Sequence, residues 1–236
     1  MPPTITRIDP ELPLCWEDES TLRFGFDEAR LRISRPSVVT QRLIGALQGG
    51  VRSDRVGATL ERIGATRRCW NETVELLEPI LHRLPAGAAA SAGSAVRAVP
   101  DVPERGDSAA FAVGIEAPAG AHAVAEVFGR ACIRAGFAIT RTDPCLTISI
   151  ERFVAPLERP VRPASWGAPR LLIRFADRSI GIGPLLSAAD DPCPSCIVLA
   201  DVDADPALPA IAAQLIGVTP ASETGAGAEA AAALAT

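Results

Sequence analysis

The residues with the clearest chemical potential are Cys193-Pro194-Ser195-Cys196, the chain's one CxxC. That spacing serves three purposes: a structural turn, part of a metal site, or a redox pair. Structural zinc takes four ligands. The other candidates are His82, His122 and the isolated cysteines Cys15, Cys69, Cys132 and Cys145. Zinc at Cys193 and Cys196 would therefore be weakly held or shared across a homodimer. A redox CxxC belongs at a helix start following a strand, and the prolines at 192 and 194 read as unfavourable for that setting. Asp201, Asp203 and Asp205 form an acidic run that reads as a solvated, helix-capping segment. His82 and His122 read as structural. No Ser–His–Asp or paired-carboxylate spacing stands out. All 23 basic residues are Arg. Without Lys there is no Schiff-base nucleophile, no pyridoxal anchor and no phosphate-binding P-loop lysine.

A second candidate is the loop Gly114-Ile115-Glu116-Ala117-Pro118-Ala119-Gly120. It follows an apolar strand, 109–115, and precedes a helix over 120–133. A second strand starts at Phe137, so the segment opens as a βαβ unit. A dinucleotide cradle would read GxGxxG there. This loop keeps two glycines and places Glu116 where a pyrophosphate would approach. It reads as a loop that binds no nucleotide, and no cofactor is expected.

The elements that would position these residues fall into two units, 8–84 and 108–218. Residues 85–107 are rich in Pro, Gly, Ala and Ser and read as a flexible linker. Residues 219–236 read as a disordered tail, with AEAAAALA as its one transiently helical stretch. The first unit opens with three short antiparallel strands around 12–16, 22–26 and 31–33. Helices follow from Ser37, from Ser53 and from Thr66. The third helix carries a stripe of Trp70, Val74, Leu77, Ile80, Leu81 and Leu84, with Pro79 expected to kink or split it. A small sheet with three helices is winged-helix-like. The second unit continues with strands at 146–150, 171–175 and 179–182, a Pro-rich stretch at 156–169, and a final helix over 206–216. The fold class is thus mixed α+β and α/β, with the second unit a truncated Rossmann-like domain.

Winged helices often bind DNA, but Asp54, Glu61, Glu72, Glu75 and Glu78 interleave with the arginines of the second and third helices. A one-sided basic face is missing, and the net charge is -5. A protein- or peptide-binding module fits better. An extended peptide would add to the edge strand at Leu31, Arg32 and Ile33 and pack beside Val74, Leu77 and Leu81. The competing reading makes Val74, Leu77 and Leu81 plain core. No basic-then-apolar start and no long apolar run is present. A cytoplasmic location with reduced cysteines is expected, away from membrane and nucleic acid.

Several segments also resemble one family. They are Ile182-Gly183-Pro184-Leu185-Leu186, Asp190-Asp191-Pro192-Cys193-Pro194-Ser195-Cys196, Asp203-Ala204-Asp205-Pro206-Ala207-Leu208-Pro209 and Gln214-Leu215. Together they resemble the actinobacterial ThiF-like proteins associated with the cyclodehydratases of thiazole- and oxazole-modified peptides. Leu12-Pro13-Leu14, Trp16, Leu22 and Phe24-Gly25-Phe26, then Leu43, Leu47 and Gly50, resemble that family's precursor-recognition module. The resemblance implies a non-catalytic scaffold that holds a precursor leader peptide as an added strand. It would present that peptide to a YcaO-type enzyme performing ATP-dependent cyclisation. Relatives with structural zinc use two CxxC pairs; this chain has one, and Leu208 stands where the family pattern has Trp. Two other functions stay open, a degenerate ThiF-type adenylating enzyme and a winged-helix DNA-binding regulator.

Overall fold

The computed structural model describes residues 3–86, 111–154, 168–187 and 191–236. The chain divides into two compact units, Met1–Ser91 and Ala92–Thr236. Most of the expected linker and most of the Pro-rich stretch 156–169 lie outside the described residues.

Among its described residues the first unit holds two three-stranded antiparallel sheets and three α-helices. Strands β2 (Leu14–Trp16), β3 (Thr21–Phe24) and β4 (Leu31–Ser34) form a meander in the order β2-β3-β4. These are the three strands that the alternating pattern predicts. A second sheet, order β5-β1-β6, was not predicted. It joins β1 (Thr4–Ile8) to β5 (Val51–Arg52) and β6 (Leu81–Pro85). Its strands are short or partly exposed, and a two-residue strand carries no periodic signal.

Helix α1 (Val38–Gly49) starts at Ser37, whose side chain accepts a hydrogen bond from the Thr40 amide. Gly50 ends it at φ 82°, and a Cβ there would lie 3.0 Å from Ile5 Cγ2. The chain therefore turns into β5 at a position that favours glycine for two reasons. Ser53 does not cap the second helix as expected. It sits in a 3₁₀ turn, Ser53–Arg55, and its Oγ accepts from the Thr4 amide at 3.1 Å. Helix α2 (Val56–Ile63) follows and closes on Gly64 in the left-handed region. Helix α3 (Arg67–Leu77) is capped by Thr66. Pro79 then splits the predicted run. Residues Glu78–Ile80 form a 3₁₀ turn and the chain continues as strand β6, not helix. One core unites the unit, with Phe24, Leu43, Leu47 and Leu77 fully enclosed.

The second unit is built on a five-stranded mixed sheet, order β11-β10-β9-β7-β8. Strands β7 (Ala112–Glu116), β8 (Ala138–Ile139), β9 (Leu146–Arg152) and β10 (Arg170–Phe175) run parallel, and β11 (Ile180–Leu186) closes one edge antiparallel. Helix α4 (His122–Arg134) makes the crossover from β7 to β8. The helix expected over 206–216 is α6 (Leu208–Gln214), and an unexpected helix α5 (Pro194–Ala204) precedes it.

The largest correction concerns the tail. Residues Gly225–Ala235 form helix α7, capped by Thr224, with Ala228, Ala231 and Ala232 buried in the core against α4. An alanine-rich stretch reads as low complexity, yet small side chains let two helices approach closely. Val124, Val127, Phe128 and Ala131 of α4 complete that layer together with Ile148, Ile150, Ile173 and Phe175 of the sheet.

Candidate functional site

The expected peptide edge is present as a strand. β4 pairs with β3 through Leu31↔Phe24, Arg32↔Arg23, Ile33↔Leu22 and Ser34↔Thr21, and ends its sheet on the other side among the described residues. Its side chains alternate as a half-buried strand requires. Ile33 is buried, Leu31 is half-buried, and Arg32 and Ser34 face solvent. Arg32 Nε donates to Glu17 Oε1 at 2.7 Å, and the same oxygen takes Arg23 Nη1 at 3.3 Å. Arg23 is buried and also donates to the carbonyls of Gly25 and Phe26. The meander thus carries an internal charge cluster whose outermost member is Arg32.

The other three predicted contacts sit differently. Leu77, at the end of α3, is fully buried and serves the core. Val74 and Leu81 are half-buried against the same cluster, as is Leu31. Leu81 lies on β6 rather than on the helix. All of these apolar residues belong to one cluster, in which Leu77 and Ile33 are interior and Val74, Leu31 and Leu81 are peripheral.

Cys193 and Cys196 do lie at a helix start, contrary to the expectation from the flanking prolines. Cys193 is the N-cap of α5 and Pro194 its first residue, a position where the missing N–H costs nothing. The two Sγ atoms are 2.8 Å apart, and Cys193 Sγ accepts the Cys196 amide at 3.2 Å. Hydrogen bonding from Cys196 holds the Cys193 thiol below the ordinary thiol range, and the same contact raises Cys196. Among the described residues no third or fourth zinc ligand stands beside the pair. All six cysteines are described, and among the described residues no group of three or more His, Cys, Asp or Glu is placed to hold a metal. Two sulfurs do not fit a metal that takes four ligands. His82 instead faces Asp9, with Nε2 3.6 Å from Oδ2. Asp201 binds Arg174 at 3.1 Å, and Asp205 caps locally by accepting the Ala207 amide.

The loop after β7 is tied to its neighbours by polar contacts. Glu116 is held by Arg170, with Arg170 Nη1 donating at 2.6 Å and Nη2 at 3.2 Å. Arg152, at the end of β9, donates to the Ala119 carbonyl at 3.2 Å and is gripped by Glu223 from the segment before α7. Sequence reasoning missed Arg152 and Glu223, because the partners are 71 positions apart. It also missed an open groove of about 500 Å³ beside α1 and α2, lined by Arg42, Gly45, Gly49 and Arg62.

No helix among the described residues is long and apolar enough to cross a membrane. No family model matches the chain, and no curated protein matches it. Among solved structures it is similar to the heterocyclase TruD, at 13% identity and a TM-score of 0.37, over 97% of this chain and 35% of that one. It is also similar to a heterocyclase in complex with substrate and cofactor, at 10% identity and a TM-score of 0.40, over 100% of this chain and 32% of that one. The chain spans about a third of the length of each of these structures.

Proposed function

We propose that this protein is a non-catalytic recognition partner in ribosomal peptide modification. In this reading the first unit is a winged-helix-like module that takes a precursor leader peptide as a fourth strand on β4. A YcaO-type cyclodehydratase then acts on the part of the precursor that the module leaves free. The observation that carries the reading is the edge of β4, Leu31–Ser34, which ends its sheet among the described residues and alternates buried with solvent-facing side chains. An added strand gains affinity from backbone hydrogen bonds, and side chains that line it give selectivity. Arg32 gives that edge a cation for an acidic leader. In this reading the second unit is a truncated Rossmann and ThiF-like domain without nucleotide chemistry, supported by Glu116 pairing with Arg170 and by Arg152 donating to the Ala119 carbonyl in the loop after β7. The sequence resemblance set out above supplies the class of partner.

The test is nuclear magnetic resonance on the full ¹⁵N-labelled chain, titrated with synthetic leader peptides from precursor genes next to its own. The expected result is shifts confined to amides of β4 and its neighbours, with new protection from hydrogen exchange at β4. Absence of shifts at high peptide concentration, or shifts located only in the second unit, would remove the recognition role.

A further inference from the structure

We propose that Cys193 and Cys196 form a thiol–disulfide exchange site whose substrates are small-molecule disulfides. The carrying observation is the contact between the two sulfurs, 2.8 Å. A disulfide bond is about 2.05 Å long, so small side-chain rotations bring the two thiols into bonding distance. The backbone is already shaped for it. Cys193 caps α5, Pro194 fixes the first helical residue, and the Cys196 amide donates to Cys193 Sγ at 3.2 Å. Access is open, because Cys196 is exposed and Cys193 is half-exposed. The other free thiols are built differently: Cys15 and Cys132 are buried, while Cys69 and Cys145 are not in contact with another sulfur in any hydrogen bond described for them.

One thiol gives its proton to solvent, and its thiolate attacks a sulfur of the disulfide RSSR. The S–S bond breaks and RS⁻ leaves, taking up a proton. The second protein thiol, also deprotonated by solvent, attacks the protein sulfur of the mixed disulfide. The Cys193–Cys196 bond forms and the second RS⁻ leaves and is protonated. Two electrons pass from the protein dithiol to RSSR, which ends as two RSH. The proposal is independent of the peptide-recognition reading.

The probe is oxidised glutathione. The reduced full chain is incubated with it, quenched with acid, alkylated and analysed by peptide mass spectrometry. The expected result is an internal Cys193–Cys196 disulfide forming about tenfold faster than glutathione adducts at the other exposed thiol, Cys145. Cys196→Ser should stop the reaction at a glutathione adduct on Cys193. The wild-type measurement stands alone if that variant fails to fold. The proposal is overturned if the pair stays reduced while Cys145 is modified. It is equally overturned if both cysteines carry separate adducts, or if the purified chain holds stoichiometric zinc that Cys193→Ser releases.

Discussion

Arg152 and Glu223 meet through two hydrogen bonds, 2.5 Å from Nε and 2.6 Å from Nη2, although 71 positions separate them. Both side chains are largely out of water, 12% and 6% exposed. The same guanidinium reaches the Ala119 carbonyl. One arginine therefore ties the end of β9, the loop after β7 and the start of α7 together. Next to it, Ser222 fixes the chain by donating from both its amide and its Oγ to the Ala176 carbonyl.

Glu223→Ala should be costly for that reason. Removing one partner leaves a poorly hydrated cation, and breaking such a pair costs about 3 kcal/mol. The expected readout is a lower urea midpoint for the second unit, with faster hydrogen exchange in 225–235. An unchanged midpoint would mean that α7 is held by its alanine face alone.

Mg-ATP should not bind. Glu116 is engaged by Arg170, and the Ala119 carbonyl is already satisfied by Arg152. Calorimetry with the full chain should show no heat beyond dilution. A micromolar dissociation constant would restore the adenylating alternative.

Stability should fall between about pH 9 and pH 11. Burial pushes the Cys15 thiol from the ordinary value of 9.0 up to about 11, with Arg23 pulling weakly the other way. The folded state thus keeps a proton that the unfolded chain releases first. The stabilisation is whole below pH 9 and is lost as pH rises through 11. At ~1.36 kcal/mol per pH unit of difference, roughly 2–3 kcal/mol is at stake. Cys15→Ala should flatten this part of the melting-temperature profile; an identical slope in the variant would assign it to other groups.

Arg32→Glu and Leu77→Ala should separate recognition from packing. Arg32 is half-exposed and its pairing with Glu17 is worth under about 1 kcal/mol. The variant should melt close to wild type yet bind an acidic leader about tenfold more weakly, a difference of ~1.4 kcal/mol. Leu77 is fully enclosed, and its truncation should cost about 2–5 kcal/mol of stability. Equal leader affinity in wild type and Arg32→Glu would take β4 out of the binding surface.

What the sequence made legible was local. The meander 14–34 follows from alternation, and Ser37 and Thr66 cap their helices as their chemistry suggests. Pro79 ends α3, but no local rule says whether the chain then kinks or becomes a strand; pairing with β1 decided for the strand. Ser53 has the composition of a cap and was diverted by a partner 49 positions away, the Thr4 amide. The alanine tail failed for a related reason. Its helix is stabilised by packing on α4, and packing partners distant in sequence leave no periodic trace. At the cysteine pair, spacing alone did not show that Pro192 and Pro194 permit a helix start there, which the backbone does.

The pairing of β1 with β6 sets the order in which the first unit can assemble. Thr4 lies opposite Pro85 and Ile8 opposite Leu81, so the outermost strands of the unit are each other's neighbours. During synthesis β1 leaves the ribosome first and must wait for some eighty further residues before its longest partner exists. The meander pairs only consecutive strands, β2 with β3 and β3 with β4, and forms without that delay. β6 then closes the unit as its last-made piece. The same closure brings the two ends of the unit side by side, so a short bridge between them would permit circular permutation, with new termini opened between the exposed Asp18 and Glu19.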